Sequence, residues 1–514
     1  MKKKHYSYIL GFCTAMIGFQ ACSSEDNLAE TNAPQPTPET PVYKVNIHAT
    51  IGDDAETRAV SFGNDGSSIT ASFATSDLIY VYNETKGSFA FYGDGTAPTA
   101  TTLAPESDGT STTLTGTLKF PDPVVPEAGD ILTLYYNMNV FYVNEHNYLN
   151  PTECGFKYVF TGPNPGGSAA IASNYDFAKA TMKIKAISSA NATDGYTLDL
   201  CKVDDNNNTT ATFEPLQSMF RFRFAFAGKT PSDYPTIRQL VVESDYTVST
   251  SPKSGPFVDM YAPLHGPQNM GSNIRRFTNV IIDENYDFYL PMRFNYESAP
   301  VTENLTFTAI ASDGVVYEKV RTAPAGGFKN GKYYYGGLTF AEAAKPTIVG
   351  TSSYDGGTYT ITSDANISGT SKGYLFYIDT EKVDILTLSG LNAVYYGAGA
   401  AVIGGGTNNN HILTIELDGD CVIKNMFKGG AIVLENTENL NLKTSGSEQT
   451  LTITVRPDGG GSVYKGLQAQ GYCSDSHDVA NLAAPGFTVS LTSEIDNGDG
   501  TTTYVYTVAP KVTS

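Results

Sequence analysis

Cys22 is the residue whose type and position most directly indicate chemistry. It follows three lysines at positions 2–4, an apolar run from Tyr8 to Phe19 and the small residue Ala21. A helix that spans a bilayer needs about 20 apolar residues, so this run is too short to remain in the membrane. This order of basic, apolar and small residues is typical of a secretory signal peptide, which we assign to residues 1–21.

The stretch from Phe19 to Cys22 resembles a bacterial lipobox, which Phe19 and Gln20 match loosely. The resemblance implies that the Cys22 thiol is acylated as a thioether, that the chain is cleaved before it, and that lipid holds the protein at a membrane. An ordinary signal peptide with a cleavage site nearby is the alternative.

Residues 22–41 have the composition of a disordered tether. They hold four prolines and almost no large apolar side chain, so they cannot bury enough surface to fold. Glu25 and Asp26 resemble the surface-export signal of Bacteroidetes lipoproteins, which implies a lipid-anchored protein of the outer membrane that faces outward. A lipoprotein that faces the periplasm is the alternative.

Charge and composition narrow the class of protein. The formal net charge is −20, so we predict no nucleic-acid partner and membrane attachment through lipid alone. The chain has 33 Tyr, 26 Phe and no Trp, and strand-forming residues dominate its apolar positions. Apart from short helix candidates at 171–180 and 342–344, the sequence predicts a mainly β protein.

Two β blocks precede a different C-terminal region. The first block, residues 42–212, opens with apolar and polar residues that alternate from Tyr43 to Ala49, as in a half-buried strand. The second block, residues 213–342, contains a strand in which phenylalanine alternates with Arg221 and Arg223. We predict that its phenylalanines face a core and that both arginines face solvent. Turn clusters between short strands favour antiparallel sandwiches.

Motifs in these two blocks resemble, in their order, those of fimbrillin-type surface proteins of the Bacteroidetes. They are Thr57-Arg58-Ala59, Ser76–Tyr82, Asn174–Ala178, Phe213–Phe226 and Gly327–Tyr335, the last similar to a closing Gly-Lys-x-Tyr strand. The chain departs from the family at Phe213-Glu214-Pro215, where Phe-x-His is common. The resemblance implies two antiparallel β-sandwich (transthyretin-like) domains in a fimbrial subunit or a tip or accessory adhesin. Its partners would be other fimbrial subunits.

The same resemblance gives Arg58 and Ala59 a role in processing. It implies that a trypsin-like protease cuts after Arg58 and that the strand from Tyr43 to Ala49 leaves. A strand from a neighbouring subunit then fills the groove, since unpaired backbone groups and empty apolar pockets accept such a strand. The alternative is an exposed loop arginine that is not cut.

The third block, residues 345–514, has a repeating pattern. Apolar runs at Leu386–Leu388, Leu413–Ile415 and Leu440–Leu442 recur at equal intervals, with Ala401–Ile403 and Ala431–Val433 between them. Such a period predicts the stacked coils of a short parallel β-helix. A further sandwich domain is the alternative.

The third block also resembles small β-helix carbohydrate-binding modules. This resemblance implies a second hypothesis, a surface protein that binds host or bacterial glycans or proteins and does not polymerise. Tyr374, Tyr377, Tyr395 and Tyr396 are its candidate stacking rings. The absence of Trp counts against it. A polysaccharide lyase is a weaker hypothesis, because basic residues are sparse in this block.

Four cysteines follow Cys22. In an exported protein, Cys154 with Cys201 and Cys421 with Cys473 are possible disulfides, although four cysteines allow three pairings. Buried free thiols are the alternative.

No pattern in the chain indicates catalysis. The histidines do not stand at metal-ligand spacing, and a Gly-x-Ser-x-Gly motif is missing. The segment from Asp496 to Gly500 resembles a calcium loop but lacks the glutamate at the twelfth position, so we predict a hairpin turn. We therefore expect no enzymatic activity, no cofactor and no metal site.

Overall fold

The computed structural model describes residues 41–51, 61–62, 69–70, 72–92, 99–136, 178–189, 195–215, 218–244, 257–258, 274–278, 280, 282–294, 301–397, 399–406, 411–426, 429–434, 439–456, 465–468, 478–497 and 501–512. Strands predominate in them, and the helical segments they contain are the short 3-10 helices Pro231–Asp233 and Val479–Leu482. The prediction of a mainly β protein is confirmed. No helix in the described ranges combines the length and the apolar character needed to cross a membrane.

The sequence predicted two short helices, a signal peptide and a tether. The helix expected at 342–344 is wrong, because Glu342 ends a strand and the next two residues have no regular secondary structure. The helix expected at 171–180 is wrong for its last three residues, which begin a strand at Ala178. The signal peptide, almost all of the tether and residues 171–177 lie outside the described residues.

The strands of the first block are β1 (Val42–Ile51), β2 (Ser61–Phe62), β3 (Ile69–Thr70), β4 (Ile79–Asn83), β5 (Ser88–Phe89), β6 (Phe91–Tyr92), β7 (Thr99–Ala100), β8 (Thr102–Pro105), β9 (Ser111–Lys119), β10 (Ile131–Tyr136), β11 (Ala178–Ser189), β12 (Tyr196–Lys202) and β13 (Ala211–Pro215). Nine of them form one sheet in the order β10-β11-β12-β1-β9-β8-β4-β5, with β13 beside β1 and β11. Because β4 also pairs with β10, this sheet closes on itself.

This closed sheet differs from the predicted antiparallel sandwich in two ways. Its strands form a single barrel-like sheet rather than two facing ones, and β1 runs parallel to β12 and β13. The boundary of the block also moves. Phe213, which we had assigned to the second block, lies on β13 opposite Ile51 and is fully buried in the first core. The first block therefore extends to Pro215.

The strands of the second block are β14 (Ser218–Phe226), β15 (Ile237–Ser244), β16 (Phe257–Val258), β17 (Ile274–Thr278), β18 (Asp287–Phe294), β19 (Leu305–Ala311), β20 (Val316–Arg321) and β21 (Tyr333–Glu342). They form one sheet in the order β16-β18-β14-β21-β20-β19-β15-β17, in which β14 and β21 are parallel. The sheet curls around a core rich in phenylalanine, and β14 contributes the rings of Phe220, Phe222, Phe224 and Phe226 to it. The predicted core face of this strand is confirmed.

The opposite face of β14 is only partly solvated, contrary to the prediction. Arg223 exposes 49% of its side chain, but Arg221 exposes 6%. Both guanidinium groups donate to Asp287, which lies across from Arg223 on β18. The Arg221 guanidinium also lies over the rings of Tyr289 and Tyr335. This local cover, which alternation in one strand does not reveal, removes Arg221 from solvent.

The strands of the third block are β22 (Thr347–Val349), β23 (Ser352–Asp355), β24 (Thr358–Ile361), β25 (Ala365–Lys372), β26 (Leu375–Asp379), β27 (Ile385–Tyr395), β28 (Val402–Gly405), β29 (Ile412–Asp418), β30 (Cys421–Asn425), β31 (Ile432–Leu434), β32 (Asn439–Thr444), β33 (Gln449–Val455), β34 (Leu467–Gln468), β35 (Phe487–Asp496) and β36 (Thr502–Pro510). They stack in two sheets. One runs β22-β25-β27-β30-β33-β36-β35, with β29 and β32 joined to it, and the other runs β23-β24-β26-β28-β31-β34.

Most neighbours in this third block are parallel, as the spacing of the apolar runs predicts. Leu413 lies opposite Leu440, in agreement with the pattern. Leu386, however, lies opposite Ile415 instead of Leu413, so this coil is longer than the pattern indicates. Antiparallel strands close both ends of the stack, β22 at the start and the β35–β36 hairpin at the finish.

Candidate functional site

Strand β1, the first of the described strands, lies inside the sheet of the first block. Strand β1 pairs with β9 from Val42, opposite Lys119, to Thr50, opposite Ser111. Its other edge pairs with β12 near its start and with β13 near its end. Both edges of the strand therefore have backbone partners, so β1 lies inside the sheet although it is the first strand in sequence.

The alternating residues of β1 fill the core as the sequence predicts. Tyr43, Val45, Ile47, Ala49 and Ile51 are buried, with exposed fractions between 0% and 8%. The residues between them, from Lys44 to His48, point outward. One face of β1 thus forms part of the core of the block, and its other face points outward.

The two ends of β1 contact different walls of this core. At its start, the Tyr43 ring stacks on Tyr196 of β12 at 5.5 Å and meets the edge of Phe120 at 6.1 Å. Burial is the main reason that the pKa of the Tyr43 phenol lies above its ordinary value, and Tyr196 adds to the effect. At its end, Ala49 lies between Thr112 and Ala211.

The rest of the closed sheet does not need β1 for its continuity. Strands β12, β11, β10, β4, β8 and β9 pair in succession without it, because β10 pairs with β4. Loss of β1 would turn the closed sheet into an open one with a gap between β9 and β12. The gap would expose unpaired backbone groups and apolar side chains, among them Leu114 and Leu198. Such a groove can accept an extended strand with alternating apolar residues.

The predicted processing and anchoring residues fall outside the part of the chain that the structure describes. Arg58 and Ala59 follow Ile51, the last residue of β1, by a few positions but are not themselves placed. Cys22, Cys154 and Cys473 also lie outside the described residues. Cys201 and Cys421 are placed, and both are buried free thiols, which is the alternative to the predicted disulfides.

The four tyrosines proposed to stack on sugars do not form a common surface. Tyr374 and Tyr396 each expose 1% of their surface, so neither ring face is open to a glycan, and the prediction is wrong for these two. Tyr377 and Tyr395 are half-buried. The reason is tertiary: the second block covers Tyr374 with Ile310 and Val316, and covers Tyr396 with Val241.

A cleft of about 540 Å³ lies where β20 and β21 diverge beside the third block. Its charged lining includes Glu318 and Lys372, whose side chains form an ion pair at 2.5 Å. The backbone pairing of β20 with β21 ends at Glu318, opposite Ala341. This cleft had no signal in the sequence because its walls come from separate blocks.

Two further features are the side chains that could hold a metal ion and the turn that follows Asp496. Among the described residues, no three His, Cys, Asp or Glu side chains group in a way that could hold a metal ion. Strands β35 and β36 pair from Asp496, opposite Thr502, which is the geometry of the predicted hairpin. The Asn497 amide donates to Thr501 and Thr503 across this turn.

No family model matches the chain, and no curated protein sequence matches it. Among the solved structures that it resembles are fimbrial, pilin and cell adhesion proteins. One is the tip fimbrial protein Mfa3 from Porphyromonas gingivalis, with 11% identity, 56% of this chain and 85% of that chain covered, and a TM-score of 0.26. Another is a candidate cell adhesion protein from Bacteroides uniformis, with 11% identity, 60% and 99% coverage, and a TM-score of 0.27.

A third similar structure is the major pilin T-13 from Streptococcus pyogenes, with 8% identity, 59% and 97% coverage, and a TM-score of 0.16. Similarities with identities and TM-scores this low carry no weight for the function of the chain.

Proposed function

We propose that this protein is a cell-surface lipoprotein that serves as a fimbrial subunit or as a tip or accessory adhesin. In this proposal subunits assemble by strand exchange after cleavage near Arg58. The observation that carries it is the position of β1, an apolar strand paired on both edges whose departure leaves the remaining strands in one continuous sheet. The segment that contains Arg58 follows directly.

The energetics of β1 favour replacement over an empty groove. Each fully buried side chain of the size of Val45 or Ile47 contributes about 1.5–3 kcal/mol when it leaves water. An open groove loses these contributions and leaves backbone groups of β9 and β12 without partners. A strand from another subunit with the same alternation restores both. Filling of the groove by a strand from another subunit thus strongly favours association once the chain is cut.

The proposed architecture is two fimbrillin-like β domains followed by a short parallel β-helix-like module. We place the protein outside the outer membrane, held through an acylated Cys22, with other fimbrial subunits as partners and no enzymatic activity. The third block follows β21 directly and adds bulk beyond it. This bulk favours a terminal position on a filament over one in its shaft.

Replacement of Arg58 by alanine tests the processing step. Wild-type protein shed from cells should include a species that begins at Ala59, and unboiled samples should run as heat-labile ladders. The R58A variant should lose both features. The matched R58K variant keeps a basic side chain that a trypsin-like protease accepts, so it should retain them. A wild-type protein that begins only at Cys22 and runs without ladders would overturn the proposal.

The second candidate function is glycan binding by the third block without polymerisation. The half-buried rings of Tyr377 and Tyr395 are what supports it, since Tyr374 and Tyr396 are covered. A glycan array probed with the full chain and with Y377A and Y395A variants tests it. Binding that falls in either variant would favour this candidate, and an array without any bound glycan would reject it.

A further inference from the structure

Part of the outward face of the second sheet is covered by the third block. On this face Val241 of β15, Thr308 of β19 and Glu318 of β20 lie side by side in register. Val241 and Thr308 are fully buried, as is the nearby Val316. A sheet face that is buried on its outer side has a second layer against it. We call the contact surface between the second and third blocks the joint.

Two tyrosines of the third block anchor the joint. Tyr396 packs against Val241, and the Gln239 amide donates to the Tyr396 carbonyl oxygen at 3.2 Å. Tyr374 fills a pocket formed by Ile310 and Val316. Large rings that are buried this completely are strong contributors to an interface.

Two β-turns meet backbone to backbone at one end of the joint. A Cβ atom on Gly314 would lie 2.0 Å from the Gly357 nitrogen, which is too close for any side chain. Gly314 also has φ +82°, a left-handed conformation that suits glycine. This contact explains glycine at a turn of the second block by a neighbour from the third.

A carboxyl group lies at the centre of the joint. Glu243 is half-buried, and its Oε2 accepts a hydrogen bond from the Tyr396 hydroxyl at 2.5 Å. The charged groups that act on it are Glu318 of β20, Lys372 of β25 and Lys424 of β30. On the neighbouring β17, Arg276 donates to Gln239. Glu243 thus shares the joint with two lysines and a second acid.

We propose that the second and third blocks form one body, held by a joint that is strongest when the Glu243 carboxyl carries a proton. In this state the Glu243 carboxyl and the Tyr396 hydroxyl form a neutral hydrogen-bonded pair, and Lys372 forms its ion pair with Glu318. Ionisation would place a negative charge beside Glu318 with the Tyr396 hydroxyl as its donor. The joint therefore holds the third block in one orientation and weakens as the solution becomes more alkaline.

The direction of this dependence follows from the environment of the carboxyl. Desolvation raises the pKa of Glu243 above its ordinary value of 4.5, and Glu318 raises it too. The hydrogen bond from Tyr396 and the charges of Lys372 and Lys424 oppose the rise without cancelling it. A group with a raised pKa in the folded state stabilises fully below its unfolded pKa. That contribution is lost as the pH rises through the folded pKa.

Calorimetry of the full chain tests whether the two blocks are one body. In wild type they should unfold in one shared transition. G314A should split that transition in two, because the added Cβ meets Gly357. The matched G228A variant has nearly the same backbone conformation, φ +75°, but no atom within 4 Å of the added group. It should lower the transition without splitting it. The idea fails if G314A unfolds in the same number of transitions as G228A.

Replacement of Glu243 by glutamine tests the proton dependence. From pH 5 to pH 8 the midpoint temperature of the shared wild-type transition should fall by about 2–4 °C. E243Q keeps an acceptor for the Tyr396 hydroxyl but does not ionise, so its decline should be clearly smaller. E494Q, at an exposed site of the third block, should follow wild type. Parallel pH profiles for wild type and E243Q would overturn the proton dependence.

Elastase provides a local readout at the linker between the blocks. Ala343 packs against the Tyr374 pocket, while Ala344 is exposed. At one fixed alkaline pH, cleavage after Ala343 should be faster in wild type than in E243Q and fastest in G314A. Equal rates in all three would show that the joint does not open as proposed.

Discussion

The first and third blocks are both built from short strands, but they connect them in opposite ways. In the first block, β1 pairs with β9, β12 and β13, which lie far from it in sequence. In the third block, most strands pair with the corresponding strand of the next coil. One strand can leave the first block without dividing its sheet, whereas removal of a coil from the third block separates the stack. The proposed strand exchange thus concerns the first block, whereas the third block is one continuous stack of coils.

The largest expected effect comes from a charged side chain on the buried face of β1. Ile47 exposes 4% of its surface, so Ile47→Asp should destabilise the first block by about 4–5 kcal/mol or prevent its folding. His48 on the outward side offers the control, and His48→Asp should change stability by no more than about 0.5 kcal/mol. Urea unfolding of both variants measures the difference. Equal midpoints would mean that β1 does not occupy the core.

A cavity in the third block should reduce the free energy of unfolding by a smaller amount and should leave the first block unaffected. Ile415 is fully buried between Leu386 and Leu442 of the neighbouring coils. Ile415→Ala should reduce the free energy of unfolding by about 2–5 kcal/mol. Because the first block has a separate core, ladder formation on unboiled gels should be unchanged. Loss of the ladders in this variant would break the distinction between the two blocks.

Loss of a buried side-chain amide should reduce the free energy of unfolding by less than the cavity at Ile415. The Asn425 side chain donates to the carbonyl oxygens of Gly399 and Gly430, at 2.7 and 2.9 Å. Asn425→Ala leaves both without this donor and should cost about 1–3 kcal/mol. Asn392 is exposed on the same stack, so Asn392→Ala should be nearly neutral. Chemical denaturation compares the two, and similar losses would show that the hydrogen bonds of Asn425 do not stabilise the fold.

The smallest effect concerns tyrosine ionisation in alkali. Burial is the main cause that raises the pKa of Tyr374 to about 12, and that of Tyr333 to about 12 as well. These phenols keep their protons in the folded state, so their contribution to stability should be constant below pH 10 and fall as the pH approaches 12. Phenolate absorbance should show a late phase that accompanies unfolding, and Tyr374→Phe should reduce it. A single titration of all tyrosines near pH 10 would contradict this.

Predictions from the sequence succeeded where a pattern within one segment decides the outcome. Alternation placed the apolar side of β1 and the phenylalanines of β14 in cores, because side chains of a strand point to opposite faces in turn. The spacing of apolar runs predicted parallel stacking in the third block, although one coil is longer than expected. Arg58 and Cys22, on which the proposed function depends, remain predictions.

Predictions failed where the outcome depends on a neighbour distant in sequence. Arg221 was expected in solvent, but Asp287 and two tyrosines enclose it. Glu243 and Tyr396 belong to different blocks, and nothing in either segment signals their contact. The glycine at position 314 reads as an ordinary turn residue until Gly357 is placed beside it.

By itself the sequence determined that this protein is made mainly of strands. It also determined which face is apolar in each strand with clear alternation. Only the tertiary structure decided that β1 is enclosed on both edges and that Tyr374 and Tyr396 lie under the second block. The physical reason is that alternation specifies two faces but not what covers them. Cover comes from another layer, and which layer arrives depends on how the whole chain packs.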